Sequence, residues 1–374
     1  MFKKILILSV IVFIYCHTVY AISAESAIVM DADSGRVLYE KNAHTKQGIA
    51  STTKIMTALV VLENSKLNDI VTVSYNAAST EGSSMYLKQN EQLTVESLLY
   101  GLMLSSGNDA ATALAEHISG NIEEFAKLMN IKAKDIGMTN SSFANPHGLD
   151  NENHYSTAYD MALLTKYAMG NKTFKEISGT KNKIVQTKSG EYKYLTNHNK
   201  LLSMYEHCIG VKTGFTKKCG RCLVSYSVKN GVKLITITLN APDDWNDHIL
   251  LYDKYFELYK RYNIINTKDY IGSVNVENSD EKILKLYNSK AISLTLTEDE
   301  YNKITIKYEY NPTVIAPVYI GQSIGTVKVM LDNKTLASSP IISTYGIKEK
   351  TSNTYKNTLL FLANNLISLF YKSI

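Results

Sequence analysis

A serine and a lysine three residues apart, Ser51-Thr52-Thr53-Lys54, open a run that turns apolar at Ile55, Met56, Leu59, Val60 and Leu62. On a helix the two side chains share one face, one turn apart and within reach of each other. Ser51 then stands at the helix start, where free backbone N–H groups and the dipole favour an anion. A hydroxyl nucleophile needs a base beside it, and a carbonyl under attack needs donors for its developing charge. This stretch offers both. The same spacing recurs at Ser178–Lys181 and Ser279–Lys282, in polar surroundings typical of ordinary surface. Two later signatures single out the first copy: Ser106-Gly107-Asn108 and Lys212-Thr213-Gly214. Looser matches, Ser74-Tyr75-Asn76 and Lys188-Ser189-Gly190, lack the same setting of helix start, inter-helix loop and sheet-edge strand.

The elements that must position these residues follow from periodicity. Ser26 to Glu40 reads as a hairpin turning at Asp33-Ser34-Gly35. A second short hairpin region lies around Ile70 to Val73. The pattern is helical from Gln89 to Ile118, with one helix begun at Thr94 and an interruption at Ser105–Asp109. Ile122 to Ile136 and Thr157 to Met169 are helical as well. From Lys183 onward alternation returns, with Ile209–Phe215, Cys222–Val228 and Val232–Leu239, the last two joined by an Asn230-Gly231 turn. A final helix is expected over His248–Tyr262. Helices bracketed by antiparallel strands imply an α+β sandwich. After Asn266 come short alternating segments with turn signals and little helix, which predict a small all-β domain.

The chain has 374 residues, 45% of them apolar and 20% charged, enough for two globular domains. A net charge of +5 without any basic block interleaved with aromatics gives no footprint for nucleic acid. Lys3 and Lys4 precede an apolar run from Ile5 to Tyr15, which predicts an export signal cleaved after Ala21 or Ala24. That run falls short of the roughly 20 apolar residues a spanning helix needs. Cleavage leaves Cys208, Cys219 and Cys222, an odd number, so disulfides are not the scaffold. Cys219 and Cys222 sit three apart at the start of a strand, an arrangement suited to neither a disulfide nor a shared metal. No histidines fall at metal-ligand spacing, and no metal or cofactor is expected. At the far end, Leu359, Leu362, Ala363, Leu366, Ile367 and Phe370 share one helical face. They predict an amphipathic helix over 354–374 that lies in a membrane surface.

The three signatures in this order resemble those of penicillin-binding proteins and serine β-lactamases. The resemblance extends to Ile28–Leu38, Ala50–Leu59, Ser106–Ala110, Phe143–Leu149 and Gly210–Thr216. These are similar to landmarks of the low-molecular-mass penicillin-binding proteins, the serine-type D-alanyl-D-alanine carboxypeptidases. The resemblance implies a β-lactamase/transpeptidase-like sandwich. The expected organisation is a signal peptide over 1–24, a peptidase domain over 25–264, a β-domain over 267–348 and the anchoring helix over 354–374. It also implies roles. Ser51 forms the acyl-enzyme, Lys54 takes its proton, Ser106 relays protons and Asn108 holds the substrate amide. Lys212 and Thr213 meet the terminal carboxylate, while the N–H groups of Ser51 and Phe215, beyond Gly214, form the oxyanion hole. Burial and the second cation Lys212 should depress the pKa of Lys54. Where some members carry an arginine in an Asn-x-Asn stretch, this chain has His198, either a carboxylate contact or a strand-edge histidine. His147 is expected to close the Asn145-Pro-His-Gly turn.

The implied partners are peptidoglycan stem peptides, β-lactams as covalent inhibitors and the membrane surface. The implied location is the outer face of the cytoplasmic membrane. Two alternatives stay open. One is a serine β-lactamase, disfavoured by Ser-Gly-Asn in place of Ser-Asp-Asn and by the lack of a Glu-x-x-Leu-Asn loop. The other is a non-catalytic wall-binding protein of the same fold.

Overall fold

A computed structural model describes residues 22–350, 358–364 and 367. The expected signal peptide, apart from 22–24, and most of the expected terminal helix lie outside the described residues. The chain divides into two compact units. One comprises the chain up to Lys229 with Lys233–Tyr255, the other Asn230–Val232 with the chain from Phe256 onward.

The first unit is built on a five-stranded sheet. Its order is Val37–Lys41, Ser26–Asp31, Val232–Leu239, Gly220–Lys229 and Cys208–Thr216. All six residues of Ser26–Asp31 are buried, as are all but Lys233 in Val232–Leu239. Strands this apolar on both faces require cover on both faces. On the helical side runs Lys54–Asn64, whose first eight residues are all buried, and it packs against Val95–Leu104, Asn108–Ser119 and Ala158–Ala168. A helix apolar all round belongs in the middle of a core. That placement, more than any local feature, is what buries Lys54.

Several boundaries differ from the sequence expectation. Gln92–Thr94 is a short strand paired with Ile70–Thr72, and the helix begins only at Val95, where the Thr94 hydroxyl accepts the Ser97 N–H. The last helix of the unit is Asp244–Leu258, four residues earlier than expected at each end. Lys260–Ile265 is instead a strand paired with Ile292–Leu296. Alternation in Arg261-Tyr262-Asn263-Ile264-Ile265 outweighed the helical period there. The helix Lys172–Gly179, capped by Asn171, is an addition to the expected pattern, and the hairpin Asn182–Gln186 with Tyr192–Thr196 lies where alternation is expected from Lys183 onward.

The second unit is β-rich, as expected. Its six-stranded sheet has the order Thr305–Tyr310, Ser323–Leu331, Lys334–Ser343, Ile283–Asn288, Tyr270–Glu277 and Thr313–Ile315. Leu284, Leu286, Val327, Val329 and Ile341 are fully buried in its core. The two longest strands meet at Asp332-Asn333, both with positive φ, the geometry of a tight hairpin turn. The strands Ile283–Asn288 and Lys334–Ser343 and the short helix Glu298–Lys303 are additions to the expected pattern.

Candidate active site

Ser51 lies in a tight helical turn, Ala50–Thr53, that runs directly into the helix Lys54–Asn64. Ala50 holds φ at +45°, a left-handed conformation that strains a residue with a Cβ and is found where a site over-determines the backbone. Lys54 Nζ is 2.9 Å from Ser51 Oγ and donates to Asn108 Oδ1 and to the His147 carbonyl, each at 2.7 Å. The lysine is fully buried. Two of its three partners are carbonyl oxygens, which only accept; the third is a hydroxyl, which can also donate. A neutral amine fits this cage, with two N–H bonds given to the carbonyls and its lone pair turned to the serine hydroxyl. Desolvation drives the Lys54 pKa well below its ordinary value, and the Lys212 ammonium lowers it further against a smaller opposing pull from Asp109.

Asn108 begins the helix Asn108–Ser119, and its amide nitrogen donates to the Glu81 carbonyl at 2.6 Å. Because Oδ1 is already on Lys54, the side chain is locked at both ends. Ser106 precedes that helix with φ +57° and is buried. Its Oγ accepts from Lys212 Nζ at 3.0 Å, and the same nitrogen donates to the Thr213 carbonyl at 3.1 Å. Lys212 is as buried as Lys54, and desolvation lowers its pKa to about 7. Two lysines, each tied to one serine hydroxyl, thus face one small volume. Both amines hold their charge weakly because burial strips them of solvent.

Lys212, Thr213, Gly214 and Phe215 lie on Cys208–Thr216, the end strand of the sheet order. At Gly214 the strand presses against the nucleophile's turn. A Cβ there would stand 3.0 Å from Ile49 O and from Ser51 N, and 3.1 Å from Thr52 N. Gly148 also presses on this turn, with φ +87° and a backbone so close that a Cβ would stand 2.0 Å from Ala50 O. Both glycines are required by backbone approaching backbone.

An open cleft of about 340 Å³ runs over these groups. Ser51, Ser106, His198, Thr213, Gly214 and Phe215 line it, while Lys54, Lys212 and Asn108 sit beneath. All nine residues singled out from sequence are therefore brought to one place. His198 is exposed at the rim, where the flanking walls desolvate it and Lys212 and then Lys54 push its pKa down. Asn145, not His147, closes the Asn145-Pro-His-Gly turn, its Oδ1 accepting the Gly148 N–H at 2.7 Å; His147 accepts the Leu149 N–H at Nδ1, 3.3 Å away. It also supplies the carbonyl bonded to Lys54, a backbone role that no residue type could announce. Its imidazole, like that of His154 bonded to Thr53 Oγ1 at 2.7 Å, is kept neutral, at about 3 and about 4, chiefly by burial. Sequence reading also missed Ser83, Lys200, Arg221, Asp244 and Trp245, which complete the cleft walls. Cys208, Cys219 and Cys222 are free and buried. Among the described residues no group of three metal-ligating side chains is present.

Comparisons with known proteins place the chain in a family. Residues 15–243 match a family model described as D-alanyl-D-alanine carboxypeptidase, and residues 259–349 match one described as penicillin-binding protein 5, C-terminal domain. The chain is 35% identical to the D-alanyl-D-alanine carboxypeptidase DacF of Bacillus subtilis, over 87% of this chain and 86% of the relative. It is 34% identical to DacC of Escherichia coli, with 91% and 90% covered. Among solved structures, penicillin-binding protein 5 of Haemophilus influenzae superposes with a TM-score of 0.74 at 30% identity, over 88% of this chain and 98% of that one.

Proposed function

The chain belongs to the low-molecular-mass penicillin-binding protein family of serine-type D-alanyl-D-alanine carboxypeptidases, and from that premise we propose how its residues divide the work. Ser51 Oγ attacks the carbonyl carbon of the penultimate D-alanine of a peptidoglycan stem peptide, and its proton passes to the neutral amine of Lys54. The backbone N–H groups of Ser51 and Phe215 take the negative charge that forms on the carbonyl oxygen. The C–N bond then breaks, and the departing D-alanine amine receives a proton through Ser106 Oγ. Water, deprotonated by Lys54, releases the shortened peptide and restores Ser51. Asn108 serves twice, fixing Lys54 through Oδ1 and offering to the substrate the one amide N–H not given to the Glu81 carbonyl. Lys212, Thr213 and His198 receive the terminal carboxylate. β-Lactams enter the same cycle and stop at the acyl-enzyme.

The observation that carries this reading is the cage of Lys54, a fully buried amine whose only hydroxyl partner is the nucleophile. The test is D-alanine release from a wall pentapeptide ending in D-Ala-D-Ala, with wild type and Ser51→Ala side by side. Release by wild type alone, with a long-lived penicillin adduct on Ser51, supports it. Equal turnover by both proteins, or penicillin turnover within seconds, refutes it.

We further propose that the enzyme is exported and held at the outer face of the cytoplasmic membrane by its terminal helix. The charged and apolar N-terminal run supports the first step. Leu359, Leu360, Phe361 and Leu362, consecutive and all exposed on a helix, support the second. Among the described residues no helix is long and apolar enough to cross a membrane.

A further inference from the structure

Arg221 stands on the strand Gly220–Lys229 opposite Phe215, and opposite residues of an antiparallel pair project to the same face. Its guanidinium is held in place. Nε and Nη2 donate to a single oxygen of Asp244, Oδ1, at 2.9 and 2.6 Å. Asp244 is buried at the first turn of the helix Asp244–Leu258, and its neighbour Trp245 lies under the guanidinium, 5.6 Å from ring centroid to Cζ. Arg221 itself is half-buried and lines the cleft together with Ser51, Ser106, His198, Lys200 and Thr213. This is the end of the cleft at which the leaving group's carboxylate must lie if Thr213 receives it. A guanidinium with two donors fixed and Nη1 unspent is a preorganised donor for a carboxylate.

We propose that Arg221, oriented by Asp244 and backed by Trp245, is a binding residue for the free α-carboxylate of the substrate's terminal residue. The proposal rests on the reading of the site given above. It answers a difficulty in that reading. The other cations near the carboxylate lose charge readily: Lys212 titrates at about 7, and the surroundings of His198 hold it below its ordinary value. Exposed Lys200 stands in water, where a point charge is weakly directional. A guanidinium keeps its proton throughout the working range. Asp244 is then a positioning residue, whose carboxylate offsets part of the charge but fixes the direction of the free N–H groups.

The test compares two substrates on the same enzyme: a stem pentapeptide ending in D-Ala-D-Ala and its C-terminal amide. The readout is the ratio of their kcat/KM values. Arg221→Gln should lower the free-acid to amide ratio roughly 10- to 100-fold, the worth of a hydrogen bond to a charged group. Arg221→Lys should recover part of it, and Asp244→Asn should lower it less than Arg221→Gln does. The deficit in Arg221→Gln should also widen as pH rises through 7, because Lys212 then loses the charge that remains. A fall in both substrates with an unchanged ratio would show that Arg221 only supports the fold and would overturn the proposal, as would a ratio unchanged at every pH. Failure of the catalytic assignment reads differently: Ser51→Ala would then match wild type on both substrates.

Discussion

The closeness of the edge strand to the nucleophile's turn makes Gly214→Ala the sharpest perturbation of this site. Its Cβ would meet three backbone atoms at once, Ile49 O and Ser51 N at 3.0 Å and Thr52 N at 3.1 Å. None belongs to a side chain that could swing aside. Ordinary contacts of a methyl carbon begin near 3.5 Å, so strand and turn must separate by several tenths of an ångström. The separation falls between the two N–H groups assigned to the oxyanion, whose donors must lie within about 2.7–3.1 Å of the developing charge. Losing one such donor costs about 2.7–4 kcal/mol, or 10²- to 10³-fold in rate. The strain on the fold is smaller, about 1–3 kcal/mol for one added methyl in a packed region. The assay is the second-order rate of penicillin adduct formation on Ser51, followed by mass, beside a melting curve. Acylation slowed about 100-fold in a protein that still melts cooperatively is the expected result. Acylation within twofold of wild type would refute the claim that this glycine sets the oxyanion geometry.

Other consequences follow from the same contacts. Lys54→Met removes the proposed base without adding charge or much volume, and should slow acylation by about 10²–10⁴-fold; near-normal adduct formation would mean the proton goes elsewhere. His248 is fully buried between Ser225 Oγ and Thr238 Oγ1, and burial lowers its pKa from 6.5 to about 3. Between those values the unfolded chain binds a proton that the native state refuses, so stability is complete above about 6.5 and is lost as pH falls. Urea unfolding at pH 7.5 and 4.5 should show a loss of about 2–3 kcal/mol from this site alone, and His248→Gln should flatten the slope; an unflattened slope would assign the loss to other groups. A chain ending at Lys350 should lose binding to anionic vesicles while retaining D-alanine release, and equal vesicle binding by both forms would remove the terminal helix from the anchor.

What could be read in advance, and what could not, divides along a physical line. Ser51, Lys54, Ser106, Asn108 and Lys212 were legible because side-chain chemistry demanded those residue types, and each lay at a break or edge that periodicity could locate. The β-rich second unit was legible because alternation and turn residues survive without knowledge of partners. The rest depends on backbone or on long-range register. The His147 carbonyl is bonded to Lys54 because Gly148 lets one loop reach another, and any residue offers a carbonyl. Arg221 lies inside Cys219-Gly-Arg-Cys222, where the cysteine spacing is the more conspicuous pattern. Only the pairing of Phe215 with Arg221 places its guanidinium on the cleft side, and only a helix beginning at Asp244 supplies the carboxylate that holds it. The helix start misplaced at His248 therefore concealed more than a boundary. It hid Asp244 and Trp245, and with them the wall on which a persistent charge for the substrate's carboxylate is fixed.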